Sequence, residues 1–163
     1  MEPRYRRFNV ALYLLATIIL GSIVINAFTS GHPWALTCYQ CKACNLKCPL
    51  GYDVSVYVAA AVTDNPNLYM SASNLQLTLE EAYGTDPNMQ VSKTYMADNE
   101  TMTAREAYNK YPKDTVVWVR KLRVKDAAKY DPLDGACDPM CPVGLKVTDI
   151  IRDLKDDGEF GDG

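Results

Sequence analysis

Nineteen consecutive residues, VALYLLATIILGSIVINAF from Val10 to Phe28, carry no charge. A buried core helix, a removable signal peptide and a membrane anchor are the three things such a run can be. At about 1.5 Å per residue it reaches the length a helix needs to cross roughly 30 Å of hydrocarbon. A uniformly apolar core helix is unusual in so small a protein. Ile25–Asn26–Ala27 makes a poor signal-peptidase site, so the run reads as a retained anchor over residues 1–30. Tyr13 and Trp34 are placed to sit near the two interfaces.

Arg4, Arg6 and Arg7 precede the run, and no Lys or Arg follows until Lys42. That asymmetry favours a cytoplasmic N-terminus with the remainder outside the cell, in a periplasm-like space; the alternative is the cytoplasmic face. The Arg6–Arg7 pair is also similar to a twin-arginine export signal, although its neighbours depart from the usual pattern.

The chain has 17 Lys+Arg and 20 Asp+Glu. Setting aside Arg4, Arg6, Arg7 and Glu2 leaves 14 basic and 19 acidic residues, a net of −5 beyond the anchor. This balance excludes a nucleic-acid binder that works by neutralising phosphates. Residues 31–155 are enough for one domain with its own core, and 156–163 read as a polar, frayed tail.

Local signals predict mostly helix with long connections. Gly31–His32–Pro33 breaks the first helix. Asp53–Val62 suits a helix capped by Asp53, and Thr78–Leu79–Glu80–Glu81 opens another as a capping box. Thr101 to Tyr111 gives a further helix capped by Thr101 or Thr103, and Val147–Leu154 a last one capped by Thr148 or Asp149. Asp114–Tyr130 mixes strand-forming Val116, Val117 and Val119 with helical spacing of Trp118 and Leu122.

Cys38, Cys41, Cys44 and Cys48 form C-x2-C-x2-C-x3-C, with Pro49 next. Two-residue spacers let thiolates converge and aim backbone N–H groups at the sulfur, which offsets negative charge. Zinc sites of four Cys place two knuckles a dozen or more residues apart, so this run fits a [4Fe–4S] cluster better than zinc. A second stretch echoes it. CNLKCPLGYDV from Cys44 aligns with CDPMCPVGLKV from Cys137, keeping both Cys, the Pro, the Gly and the Val. Asp131 and Asp134 stand where two further Cys would be, and read as solvated loop residues.

On Cys38–Cys48 with Pro49, and on CPVGLKVTDIIRDL from Cys141 to Leu154, the chain resembles the alpha-helical ferredoxin family, particularly the small iron–sulfur subunit of heterodisulfide reductase. The matching residues number about 25, and everything between them is unmatched. Members carry two clusters, each held by three Cys of one run and the last Cys of the other. The resemblance therefore implies a mostly α, ferredoxin-like domain with one complete ligand set, Cys38, Cys41, Cys44 and Cys141, and a single [4Fe–4S] cluster. It leaves Cys48 and Cys137 to pair as a disulfide. Two free thiols there, or Cys48 as fourth ligand in place of Cys141, are the alternatives.

Other features carry less. His32 reads as an interfacial polar residue rather than a haem ligand, and the seven basic residues between Lys110 and Lys129 as a solvated face rather than a dock for an acidic partner. Asn99–Glu100–Thr101 fits a glycosylation sequon. No phosphate loop and no nucleophile–base arrangement stands out. The expectation is a membrane-anchored one-electron carrier, a subunit of a quinone- or cytochrome-linked redox complex rather than a stand-alone enzyme. The alternative is a non-catalytic clamp with its cysteines in disulfides.

Overall fold

The computed structural model describes residues 3–95 and 100–160, with backbone only at Pro3, Arg4, Arg6 and Arg7. The arginine side chains of the N-terminus and Asn99 of the sequon lie outside the described residues. Helix α1 (Pro3–Thr29) contains the stretch Phe8–Thr29, 22 residues long and apolar enough to cross a membrane. Gly31, at φ 73°, ends it.

With the anchor included the chain is about half helical, and beyond the anchor it also carries a five-stranded antiparallel sheet where mostly helix was expected. Helices α2 (Ser55–Thr63), α3 (Leu79–Thr85), α4 (Ala104–Lys110), α5 (Val124–Tyr130) and α6 (Val147–Asp156) are joined by β1 (Tyr69–Ser71), β2 (Gln76–Thr78), β3 (Gln90–Ser92), β4 (Met102–Thr103) and β5 (Val116–Arg123). The ambiguous stretch Asp114–Tyr130 resolves into both states in succession, strand β5 and then helix α5. The expectation of a mostly α domain is corrected accordingly.

Strand β5 is the spine. β1 and β2 run antiparallel along one side of it, with Tyr69 opposite Arg123 and Thr78 opposite Val116; β3 lies on the other side and β4 beyond that. Val91 faces Val119 while Gln90 faces Lys121, so Arg120 is an extra residue, a bulge. The bulge changes which side chains face inward. Val117 and Val119 are buried before it and Leu122 after it. That interrupted alternation is why β5 looked helical from its spacing.

Three strand–helix units recur along the chain. Each helix of α3, α4 and α5 has seven residues and follows a cap residue at φ near −70° and ψ near 150°: Thr78, Thr103 and Arg123. Each ends before an X–Pro pair, Asp86–Pro87, Tyr111–Pro112 and Asp131–Pro132. Thr78 accepts from the Glu81 N–H, and Thr103 makes a full capping box with Glu106. In the third unit the cap and the third residue of the helix are an ion pair instead, Arg123 Nε to Asp126 Oδ2 at 2.7 Å. Tyr83 of α3 stacks on its counterpart Tyr108 of α4, with centroids 4.4 Å apart.

A helix leaves its first N–H groups without internal partners, and here another unit supplies them. The amides of Leu79 and Glu80 donate to Thr115 and Lys113, in the segment after α4. Those of Ala104 and Arg105 donate to Met89 and Pro87, after α3. Those of Val124 and Lys125 donate to Leu68 and Pro66, after α2. The α3 and α4 units therefore close each other, while α5 is closed by the end of α2.

The other helices form the second half of the domain. α2 packs on α1, α5 and α6, and α5 packs on α6. α6 starts at Val147 without a side-chain cap; Asp138 accepts from the Thr148 N–H at 3.0 Å in place of the expected Thr148 or Asp149 cap. His32 is buried, not interfacial: its Nε2 lies 2.9 Å from Asp153 Oδ2 on α6, with Trp34 and Phe160 edge-on around it. Phe160 thus anchors part of the polar tail.

The basic stretch 110–129 is largely engaged. Asp126, almost fully buried, holds both Arg123 and Lys129, and Arg120 donates to the Thr94 and Tyr95 carbonyls. Removing Asp126 leaves Lys129 open to water and Arg123 on Asp86 at 3.3 Å, but takes away the buried carboxylate that bonds both. Asp126→Ala is expected to cost about 2 kcal/mol in urea unfolding, against about 1 kcal/mol for the cap variant Thr103→Ala. Equal losses would show that the Asp126 network is not what closes the third unit.

Candidate metal centre

The cysteine segments are built from one repeated turn. A 3₁₀ turn over Pro33–Thr37 ends at Cys38, one over Ala43–Lys47 at Cys48, and one over Asp138–Met140 at Cys141. The three cysteines share a backbone conformation, φ −71°, −69° and −77° with ψ 118°, 116° and 116°. After Cys48 and Cys141 the chain makes the same further turn, Gly51 N–H to the Cys48 carbonyl at 3.1 Å and Gly144 N–H to the Cys141 carbonyl at 3.0 Å. The two stretches aligned in the sequence are therefore alike in backbone as well. Gly51 sits at φ +64°, strained for any side chain, and a Cβ there would meet Ser73 Oγ at 1.9 Å and the Asn74 nitrogen at 3.3 Å.

The sheet positions the first segment. Asp53 donates its N–H to Ser71 of β1, and Asn74 donates its N–H to Leu50. The 43–47 turn then packs on the 138–140 turn, bringing together segments about ninety residues apart.

Six free thiols result, with Cys44 within electrostatic reach both of Cys38, Cys41 and Cys141 and of Cys137. Cys38, Cys41, Cys44 and Cys141 are close enough to act on one another electrostatically. Burial raises the Cys44 thiol above its ordinary value, and Cys38, Cys41 and Cys141 raise it further. The Tyr39 phenol is raised by local desolvation and by Cys41, Cys141 and Cys38. Within the run Gln40 and Lys42 take left-handed φ of 54° and 59°. This lets the Gln40 N–H point back at Cys38 Sγ, 3.4 Å away. Cys41 is exposed, and Cys38, Cys44 and Cys141 are half-buried.

Cys48 and Cys137 are both buried and in contact. The Cys137 side chain beside it holds the Cys48 thiol below its ordinary value against the opposing effect of burial, and the Tyr52 N–H adds a bond at 3.3 Å. Cys137 is pushed up by the Cys48 side chain and by burial. Beside them lies Asp131. It is not a solvated loop residue: it is buried, accepts from the Leu133 N–H, and is raised by burial. Asp134 is exposed and accepts from the Ala136 N–H. The Tyr57 hydroxyl, deep in the same core, has no hydrogen-bond partner. Sequence spacing gave no sign of this Tyr52–Tyr57–Asp131 surround.

Among the described residues, no three His, Cys, Asp or Glu side chains close on a single point as one metal ion requires. A tetrahedral zinc site with bonds of about 2.3 Å needs its sulfurs within about 3.8 Å of each other. A cube asks less of the protein, because each thiolate takes its own iron. Four soft thiol donors with the Gln40 N–H on Cys38 Sγ are the donor types that chemistry uses. No family model, curated protein or solved structure matches the chain.

Asp53 ties the run to α2. Burial would raise its carboxyl, but bonds from Ser55, Asn45 and Lys42, at 2.6, 2.9 and 3.1 Å, outweigh it and hold the group below its ordinary value. A depressed carboxylate stabilises the fold above its unfolded value of about 4 and ceases to do so as pH falls through its lower folded value. The stability difference between the protein and Asp53→Asn is therefore expected at neutral pH and should fade on acidification below about pH 4. A difference that stays constant down to strong acid would contradict this account.

Proposed function

We propose that the chain is a membrane-anchored one-electron carrier holding a single [4Fe–4S] cluster on Cys38, Cys41, Cys44 and Cys141. The observation that supports the reading is the packing of the 43–47 turn on the 138–140 turn, which brings Cys141 to the Cys38–Cys44 run while Cys48 and Cys137 touch each other. It agrees with the grouping that the resemblance to the alpha-helical ferredoxins implies. The cluster, when bound, supplies reversible one-electron redox chemistry. The chain's own part is to hold the four sulfurs, to offset negative charge with the Gln40 N–H, and to exclude water on the Cys44 side. Exposed Cys41 marks the side where an electron would leave or enter.

In this reading Cys48 and Cys137, free thiols in contact, are the remainder of a lost second site and pair as a disulfide. The N-terminus lies in the cytoplasm and the domain beyond the membrane, where an oxidising compartment would permit that bond. The partners are other redox subunits, quinone-reactive or cytochrome-like.

Iron and sulfide analysis with electron paramagnetic resonance on the reduced protein tests the assignment. Alanine at Cys38, Cys41, Cys44 or Cys141 is expected to abolish the cubane signal and most of the iron. Alanine at Cys48 or Cys137 is expected to leave both. Iron lost equally in all six variants, or retained in Cys41→Ala, would refute the ligand set. Thiol titration of the denatured chain without reductant tests the pair: Cys137→Ala should release one free thiol that the parent lacks.

A further inference from the structure

The anchor is not a tether that ends where the domain begins. Between Phe8 and Leu20 every residue of α1 is exposed. From Gly21 onward one stripe turns inward: Gly21, Ile23 and Asn26 are half-buried, and Ala27 and Ser30 are fully buried. This stripe lies against α2 and the Pro33–Thr37 turn. The lengths conflict with a domain standing in water. The free part, residues 8–20, spans only about 20 Å at 1.5 Å per residue, whereas the hydrocarbon is about 30 Å thick. The full stretch Phe8–Thr29, about 33 Å long, suffices. Whatever packs on its last turns must then lie at the same depth.

The surface at that depth suits lipid. From Phe8 to Cys41 there is no Asp, Glu, Lys or Arg, so the charge-free stretch continues twelve residues past Thr29. α2 carries no charge either, from Val54 to Thr63. Leu36 is exposed, and an open groove of about 210 Å³ runs between the Pro33–Thr37 turn and α2, walled by Leu36, Cys38, Val58 and Val62 with uncharged Gln40 and Thr63. Along the chain, charges resume with Lys42, Asp53 and Asp64.

We propose that the edge formed by α2 and the Pro33–Thr37 turn is immersed in the bilayer interface, its occupant being lipid. This rests on reading α1 as a membrane span. Burying an uncharged apolar edge beside the anchor's last turns satisfies both the length of the helix and the area left uncovered. It puts the Cys38 side of the thiol set at the boundary between headgroups and acyl chains, and leaves Cys41 and the sheet toward water. Lipid-dissolved molecules thus reach the thiol set from one side and soluble ones from the other.

The two tryptophans, Trp34 in the turn and Trp118 in β5, give native depth reporters. The full chain, as Trp118→Phe, is reconstituted into phosphatidylcholine vesicles carrying bromine either near the headgroup end of the acyl chains or near their middle. Flotation of the vesicles first reads anchoring. Trp34 emission is expected to fall to about half or less of its value in unbrominated lipid, most with the shallow bromines, and to resist iodide in the water. The Trp34→Phe chain should show the reverse, with Trp118 quenched by iodide and indifferent to bromine. The unsubstituted chain should show partial bromine quenching. A chain that floats with its vesicles while Trp34 ignores bromine would overturn the immersion and leave the anchor standing. A chain that does not float would overturn both.

Discussion

The closing of helix N-termini by carbonyls from other units is the interaction on which the rest of the domain depends. Seven-residue helices have little stability of their own, and each first turn exposes amides that must find acceptors. In α3, α4 and α5 those acceptors come from segments that follow a different helix. This fixes the two ends of the inserted sheet relative to α2 and α5. The cysteine segments hang on those two helices, one just before α2 and one just after α5. A thiol near position 40 therefore meets a thiol near position 140 because a set of amides in between leaves no slack.

Much of the helical layout was legible because helix starts carry their chemistry locally. Thr78 and Thr103 announce their helices through the Glu three residues on, and Gly31–His32–Pro33 announces an end. The sheet was hidden for equally physical reasons. β1 to β4 have two or three residues each, too few for alternation to register, and the bulge at Arg120 breaks the alternation of β5. The repeat of units was present in the letters as TLEEAY at Thr78 and TAREAY at Thr103. Its third copy is disguised, because an Arg123–Asp126 ion pair replaces a hydroxyl and a carboxylate in the same two places.

The site was legible to a different degree. The internal repeat of Cys-Pro-x-Gly rests on a turn that needs a glycine at positive φ, and that requirement leaves a mark in any sequence. His32 left none. Its burial comes from Asp153 and Phe160, more than a hundred residues away, and a lone histidine after a helix breaker looks the same whether it faces water or an aspartate. Asp131 was misjudged for the same reason: loop composition speaks of solvent, yet its loop is folded under α6 against Cys48 and Cys137.

The reciprocal closure of α3 and α4 also bears on how such a chain can change in length. Neither unit can be deleted or copied alone without orphaning the amides of the other, whereas the two together make no demand on α2 or α5 for their first turns. Expansions or losses between β1 and β5 should therefore come two units at a time, with β5 re-paired at each change, while the cysteine-bearing ends of the chain stay as they are.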